Sequence, residues 1–490
     1  MLSFKSLAEP SILCYIFNMS LNSGYNGYRR YHIETKTMPD LVSYPSRFRV
    51  KVKKHRLAWL ILKEIFHYRG NKRVILSRPC VYGVFSGPVG GFAPREHLCV
   101  GCLRCTTQYP EIVQIYHNPE RQELGDSYFT EEYVDTVSYE ARTGRIPVKG
   151  AGYRGKFGGD GWDGMWTDMS EIVRPTRDGI HGREFISTVV DIGEKPSFLE
   201  FDAQGILHTK MTRTLSIPIP FLFDVPPASA ISQTLLTILS QAARETETLA
   251  IMPLAAILKF SLHGPQHIVP LVAPQDQDAL SELRVEPRMI ELDGWDERFY
   301  REVHAHFPQS ILCVRLSFAS ALDETLLECT QSGVRVFHLV ADYHGRGPNG
   351  KFVLDLIRQA HKTFVDARCR DEVTLLGSGG IIAAEHVPKA IICGLDAVAL
   401  DTPVLVALQA KFKGECIDGR SPLLLPKGIT IEWGVQRIKN LLASWRDQLL
   451  EVLGAMGLRE VRRLRGEMGR AMLQKELERE AFAEIEGYEG

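Results

Sequence analysis

The chain of 490 residues is 44% hydrophobic and 24% charged, which is ample for a buried core and excludes wholesale disorder. Its 58 Lys and Arg nearly cancel its 59 Asp and Glu, so the net charge of −1 gives no overall attraction to nucleic acid. Ten cysteines in so long a chain do not form the dense framework of a small secreted protein, which favours a cytoplasmic location and metal binding where cysteines cluster.

The N-terminal segment, residues 1–79, is expected to be a basic attachment rather than a membrane anchor. No stretch reaches the roughly 18–20 apolar residues of a membrane span. Residues 47–78 carry eleven Lys or Arg against a single acidic residue, Glu64, around an apolar run. This pattern predicts a basic amphipathic helix. It suits a docking helix with a solvated basic face, or peripheral contact with an anionic membrane or an acidic partner.

Residues 80–204 are rich in glycine and contain a short cysteine motif. Cys99, Cys102 and Cys105 follow the C-x2-C-x2-C spacing of bacterial ferredoxin segments, with Tyr109 where the fourth cysteine would stand. The pattern favours a [4Fe–4S] cluster completed by a distant ligand, with a [3Fe–4S] cluster or a zinc ion as alternatives. Cys80 is the first candidate for the missing ligand. His97 is the second.

Two further motifs lie in the same region. The letters G-x-G-x-x-G occur at residues 150–155, but the glycine-rich stretch that follows cannot open a helix, so a dinucleotide site is rejected. Arg174, Arg177 and His181 then fall within ten residues between turn formers. They would suit a carboxylate or phosphate of a substrate or cofactor. A salt-bridged loop is the competing interpretation.

From residue 205 to 425, apolar runs alternate with helical segments eight times, which predicts an α/β fold of the TIM-like (β/α)8 barrel type. An open doubly wound sheet is the structural rival. The predicted strands are Ser216–Val225, Thr248–Pro253, Ile268–Ala273, Met289–Asp293, Ile311–Ser317, Val334–Asp342, Val373–Ser378 and Ala397–Asp401. Residues 426–490 are expected to form C-terminal helices that pack on the barrel or make an oligomer contact.

The ends of the last strands carry the candidate flavin site. Phosphate sites of such barrels follow strands seven and eight. The residues expected to bind the phosphate of FMN are Gly377, Ser378, Gly379, Gly380 and Thr402. Asp401 beside that phosphate would repel it unless it is paired or turned away.

Strands five and six offer groups for chemistry at the same mouth. Arg315 lies within the fifth strand and could stabilise a reduced flavin, or form an internal salt bridge. Asp342 and His344 follow the sixth strand and are candidate proton carriers, with a solvated loop as the alternative.

These motifs together resemble the FMN-binding, glutamate synthase-like family, in the forms that carry a ferredoxin-type segment before the barrel. The likeness covers most of the chain from about residue 80. It rests on the three cysteines, on residues 170–184, on Gly377–Ile381 and on Gly434–Ile438. Two positions depart from the family: Arg315 replaces its usual lysine, and the glycine expected near Asp401 is missing.

The resemblance implies a flavin barrel that receives electrons through an iron–sulfur cluster and reduces the imine formed from 2-oxoglutarate and ammonia. Ferredoxin or a reductase subunit would supply electrons, and a separate glutaminase subunit could supply ammonia. We therefore expect an iron–sulfur flavoprotein oxidoreductase. The alternatives are a catalytically degenerate structural or electron-relay subunit of a larger complex and a zinc-stabilised binding protein.

Overall fold

A computed structural model describes residues 31–75, 80–147, 158–169, 185–195, 199–209, 213–262, 264, 266–283, 285–318 and 321–485. Residues 33–490 form one compact unit. Met1–His32 is a separate unit, of which only the last two residues are described. In the part of the chain that the structure describes, no helix is long and apolar enough to cross a membrane.

Short elements precede the barrel. The strands are β1 (Phe48–Val52), β2 (Val113–His117), β3 (Met165–Thr167), β4 (Val190–Gly193) and β5 (Thr214–Ile217). The helices are α1 (Lys54–His67), α2 (Lys72–Ile75), α3 (Arg104–Gln108) and α4 (Glu131–Thr143). β1 and β2 pair antiparallel, as do β4 and β5. The predicted basic helix is present as α1. None of its residues is buried, and Trp59 and Phe66 are 69% and 76% exposed.

Eight parallel strands close into the predicted barrel, in which each strand pairs with the next and the last returns to the first. They are β6 (Phe221–Phe223), β7 (Ala250–Pro253), β8 (Ile268–Val272), β9 (Met289–Asp293), β10 (Ile311–Ser317), β11 (Val336–Val340), β12 (Thr374–Ser378) and β13 (Ala397–Leu400). The predicted first strand is in fact two, β5 and β6, because Pro218 and Pro220 cannot donate to a sheet ladder. The prediction of a (β/α)8 barrel is confirmed.

Helices follow the barrel strands and cover their outer faces with amphipathic stripes. They are α5 (Gln233–Glu245), α6 (Leu254–Lys259), α7 (Gln277–Leu280), α8 (Glu297–His306), α9 (Leu322–Gln331), α10 (Val353–Asp366), α11 (His386–Cys393) and α12 (Thr402–Ala407). The turn after β12 and the helix α11 are almost wholly buried. This part of the barrel is therefore well enclosed.

The C-terminal region contains two small antiparallel strand pairings and two helices. The sequence predicts the helices but not the strands. The elements are β14 (Lys411–Phe412), β15 (Leu423–Leu424), α13 (Ile431–Ala455), β16 (Ala471–Leu473) and α14 (Gln474–Phe482). β14 pairs with β15, and β16 pairs with β3. Within α13, Arg437 and Trp445 are fully buried against α4 and the barrel.

Candidate functional site

Four cysteines surround one pocket beside the β1–β2 pair, which we call the cysteine pocket. Cys80, Cys99, Cys102 and Cys105 all line it. Its apolar wall is formed by Val50, Tyr82, Val84, Phe85 and Ile115. None of the four sulfur atoms is in a disulfide. The structure thus brings the motif of three cysteines together with the residue predicted to complete it.

The local backbone shapes this pocket around its sulfur atoms. Gly101 has φ +70°, and a Cβ there would lie 2.4 Å from the ring of Phe48, so only glycine lets the loop close against the strand. The N–H of Gly101 faces Cys99, and that of Thr106 faces Cys105. Donors to cysteine sulfur are a means by which proteins tune iron–sulfur clusters. Burial raises the pKa of both thiols.

The four thiols offer a donor set that either a zinc ion or an iron–sulfur cluster can use. On one zinc ion four thiolates would be about 3.8 Å apart, because Zn–S is about 2.3 Å in a tetrahedron. The thiolates of a [4Fe–4S] cube stand farther apart, since each binds a different iron. His97 is exposed and does not line the pocket.

A second cavity, of about 410 Å³, opens at the carboxyl ends of the barrel strands. We call it the barrel mouth. Its charged lining consists of Asp224, Asp293, Arg315, Asp342, Asp401 and Asp418. Five carboxyl groups thus face a single guanidinium. Active sites of barrels of this type lie at this face.

Arg315 lies in the floor of the barrel mouth and is held by carboxylates. Its Nη1 donates to Asp224 and to Glu291, both at 2.8 Å, and lies 3.3 Å from Nδ1 of His338. His338 continues this network to Glu291 at 2.9 Å and to Ser378 at 3.1 Å. Burial would raise the pKa of Asp224, but the charges of Arg315 and His338, together with hydrogen bonds, outweigh burial and lower that pKa to about 2. The guanidinium charge is therefore balanced within the barrel.

The predicted phosphate turn is packed against the neighbouring strand end. A Cβ on Gly379 would lie 2.5 Å from the carbonyl oxygens of Ala341 and Asp342, and one on Gly380 would lie 2.5 Å from Cα of Gly345. These glycines are thus required for close packing. Gly377 likewise faces a leucine of the following helix–strand connection, and Ser378 is 1% exposed.

The other predicted phosphate ligand, Thr402, is bonded to its neighbour. Both its N–H and its hydroxyl donate to Oδ1 of Asp401, the hydroxyl at 2.9 Å. Asp401 is 4% exposed. Burial, followed by the charge of Asp224, raises the pKa of Asp401 to about 7.

The two candidate proton carriers after β11 have different surroundings. Asp342 lines the barrel mouth and accepts from the N–H of Arg346 at 2.7 Å, and burial raises its pKa. His344 is not part of that lining. Its Nε2 lies 3.0 Å from Asp126 and 3.7 Å from Glu415. The hydrogen bond to Asp126 raises the pKa of His344. Asp342 is the better placed of the two for chemistry at the mouth.

Three predicted residues, Arg174, Arg177 and His181, lie outside the described residues. Conversely, sequence reasoning missed Glu291 and His338, the internal partners of Arg315. The signal that could have found them is a charged or polar side chain inside each of two apolar strands, at an alternate position that faces inward.

A family profile and the related sequences both point to glutamate synthases. The profile of the conserved region in glutamate synthase matches residues 349–459. The archaeal-type glutamate synthase [NADPH] of Dehalococcoides mccartyi is 24% identical over 436 residues, covering 76% of this chain and 86% of its own. The archaeal glutamate synthase [NADPH] of Archaeoglobus fulgidus is 23% identical over 467 residues, covering 80% and 90%.

Among solved structures, a mutant flavocytochrome b2 with pyruvate bound is 11% identical, with a TM-score of 0.42 over 67% of this chain and 79% of its own. That likeness is too weak to add to the fold described above. The fold and the cysteine pocket define a (β/α)8-barrel protein with an N-terminal four-cysteine region. The chain is similar to the glutamate synthase-like family over residues 349–459 and, at 23–24% identity, to archaeal-type glutamate synthases over most of its length.

Proposed function

We propose that this chain is a cytoplasmic glutamate synthase-like oxidoreductase in which Cys80, Cys99, Cys102 and Cys105 hold a [4Fe–4S] cluster. The observation that carries the proposal is the convergence of these four thiols on one pocket, in a chain similar to this family. Such a cluster supplies single-electron transfer. The related proteins named above are glutamate synthases [NADPH], which favours the same class of reaction here.

The electron donor is proposed to be a separate protein, ferredoxin or a reductase subunit. Cys102 is the exposed member of the cysteine pocket, so the pocket reaches the surface there. Leu57 of α1 packs toward Gly91, close to the wall residue Phe85, which places the basic helix beside the pocket. A basic surface beside the pocket would favour an acidic donor. A separate glutaminase subunit is proposed to supply ammonia.

FMN is the flavin expected in this family, and the barrel mouth is the place proposed for it. Its phosphate does not fit the predicted turn as the structure has it, because Thr402 donates to Asp401 and the same carboxylate lies against the N–H of Gly379. We therefore derive no step through the flavin. Of the chain's own residues, Asp342 is proposed to hold the proton at the mouth. Arg174, Arg177 and His181 remain candidates for binding an anionic substrate.

The test is glutamate formation by anaerobically reconstituted protein. The overall reaction combines 2-oxoglutarate, ammonium, two electrons and two protons to give glutamate and water. With reduced ferredoxin as donor and FMN added, we expect glutamate from the wild type and none from Cys99→Ala. Cys369→Ser removes a half-buried thiol outside the cysteine pocket and should behave as wild type. Equal glutamate formation by Cys99→Ala would contradict the proposal.

A structural or electron-relay subunit of a larger complex is the second candidate. The specific observation in its favour is that residues predicted to bind the flavin are bonded within the protein instead: Arg315 pairs with Asp224 and Glu291, and Thr402 donates to Asp401. A cluster that is reduced and reoxidised by partner proteins, in protein that forms no glutamate under the conditions above, would favour this candidate over the first.

A further inference from the structure

A carboxylate of the protein itself, that of Asp401, lies at the rim between β12 and β13. Asp401 follows β13, and its carboxylate accepts from the N–H and the hydroxyl of Thr402. The N–H of Gly379, in the turn after β12, faces the same carboxylate and acts to lower its pKa. The Asp401 carboxylate thus lies among N–H groups at the ends of two adjacent strands.

These donors occupy the place where barrels of this type bind phosphate. The site is formed after strands seven and eight by backbone N–H groups that point at an oxyanion. In this chain β12 and β13 are those strands. A carboxylate is the other oxyanion that backbone N–H groups accept well. Asp401 therefore substitutes for a phosphate in both charge and hydrogen bonding.

The glycine turn after β12 is also covered by side chains from the region before the barrel. The carbonyl of Gly380 accepts from the hydroxyl of Tyr128 at 2.6 Å and from Nε1 of Trp162 at 2.8 Å. Both side chains come from the region before the barrel, and Trp162 is 2% exposed. Tyr128 and Trp162 therefore cover the turn on the side of the region before the barrel.

The charges around the mouth point the same way. Asp401 lies near Asp224, which together with burial raises the pKa of Asp401 to about 7. The only cation in the described lining of the barrel mouth, Arg315, is paired with Asp224 and Glu291. A phosphate dianion placed here would meet uncompensated negative charge.

We propose that Asp401 is a specificity-determining residue that occupies the phosphate position of the barrel and excludes phosphate-bearing ligands from it. A flavin bound at this mouth then needs another place for its phosphate, or a displaced Asp401. The inference concerns the barrel mouth alone and does not depend on the cluster or the activity proposed above.

The test compares FMN with riboflavin, which differ only in the phosphate, by flavin-fluorescence titration at pH 8 on the full chain. In the wild type, we expect FMN to bind no more tightly than riboflavin. In Asp401→Gly, which removes the carboxylate and frees its donors, we expect FMN to gain about tenfold or more relative to riboflavin, as restored charge-assisted hydrogen bonds would give. Asp401→Asn keeps the side chain over the donors and should gain less.

Asp293→Asn is the matched control, because it removes a carboxylate from the same mouth without touching the donors of Gly379 and Thr402. Its ratio of FMN to riboflavin affinity should remain near that of the wild type. Thermal unfolding of each variant checks that it is folded. The proposal is overturned if the wild type already prefers FMN about tenfold, or if folded Asp401→Gly gives no gain in that ratio, including the case in which neither flavin binds.

Discussion

Arg315 and Asp401 differ in how their charges are satisfied inside the same barrel. Arg315 lies 2.8 Å from two carboxylates, those of Asp224 and Glu291, which balance its charge. In turn, the charge of Arg315 helps to keep Asp224 ionised. Asp401 has hydrogen-bond donors but lies near a like charge. Buried charges are favourable only when they are paired and hydrogen-bonded. Of these two buried groups, it is therefore Asp401 whose charged form is disfavoured.

Asp401→Asn should stabilise the protein at alkaline pH. The folded-state pKa of Asp401, about 7, lies above its ordinary value, so the stability tied to its protonated form is present below pH 4 and is lost as the pH rises through 7. The asparagine side chain does not ionise, so the stability of the variant does not fall in this way as the pH rises. We expect its free energy of unfolding to exceed that of the wild type by on the order of 2–4 kcal/mol at pH 8 and to approach it near pH 4.

Urea unfolding at both pH values measures this difference. Asp293→Asn, at an exposed position of the same mouth, should give a nearly constant small effect across the range. An Asp401→Asn variant that is less stable than the wild type at pH 8 would show that the carboxylate stabilises the rim.

At this scale the sequence predicts some side chains and not their partners. Arg315, in the middle of β10, predicts a charge inside the barrel, and the structure places its guanidinium there. Its partners lie 91 and 24 residues away in sequence, on strands β6 and β9 or at their ends. Which carboxylate meets which cation depends on barrel register, which residue patterns do not contain.

Between elements, an ion pair ties the segment before α4 to the loop after β11. Asp126 accepts from His344 and from the N–H groups of Tyr128, Phe129 and Cys416. Burial alone would raise the pKa of Asp126, but these hydrogen bonds outweigh it and lower that pKa. The pair positions the segment that carries Tyr128 over the glycine turn.

His344→Asn should weaken this connection in a pH-dependent way. The pKa of His344 is raised, so its contribution is present below about pH 6.5 and is lost as the pH rises through the raised value. The lowered pKa of Asp126 means that the contribution is also lost in acid. We expect the variant to lose about 1–2 kcal/mol of unfolding free energy at pH 6 and less at pH 9.

Chemical unfolding at pH 6 and pH 9 provides the measurement. Arg420→Gln removes the partner of Asp418 in an ion pair whose arginine side chain is 91% exposed, and should have no measurable effect. An equal loss for His344→Asn at both pH values would indicate a packing role without an ion pair.

For elements, prediction succeeds where periodicity is strong. β9 and β10 have the predicted bounds, since each is an apolar run between clear turn residues. The sequence predicts the position of the glycine turn after β12. It does not predict that Tyr128 and Trp162 donate hydrogen bonds to this turn. Those residues lie more than 200 positions earlier, in a region without periodicity.

Across the whole compact unit, α13 holds the region before the barrel to the barrel itself. Arg437 donates to the carbonyl of Ala407 at 2.6 Å and to Asp40 at 2.8 Å. Trp445, fully buried, donates through Nε1 to Glu140 of α4 at 2.8 Å. The C-terminal helix thus has a packing role at this face, one of the two alternatives left open by the sequence.

Trp445→Ala should destabilise the unit by about 3–5 kcal/mol, because it leaves a cavity in a close-packed region. Trp445→Phe fills most of that space but leaves the buried Glu140 without this donor, so about 1–3 kcal/mol is expected. Thermal or urea unfolding measures both. Trp59→Ala, at a 69% exposed position of α1, is the control and should stay within about 0.5 kcal/mol of the wild type. Matching losses at the two tryptophans would contradict this role for α13.

The overall architecture was predictable because eight strand–helix alternations and a short cysteine motif are local patterns. The meeting of Cys80 with the motif some 20 residues later could be proposed on proximity alone. Its enclosure by β1 and β2, paired across more than 60 residues, is a long-range contact that composition and periodicity do not encode.

The most direct test of the account is iron and sulfide analysis with electron paramagnetic resonance on anaerobically reconstituted wild type and Cys80→Ala. We predict about four iron and four sulfide per wild-type chain, with a paramagnetic signal that appears on reduction. Loss of the fourth thiolate in Cys80→Ala should lower the iron content and give a signal already in the oxidised state. Stoichiometric zinc in place of iron, or a Cys80→Ala variant with wild-type iron content and signal, would contradict the four-cysteine cluster.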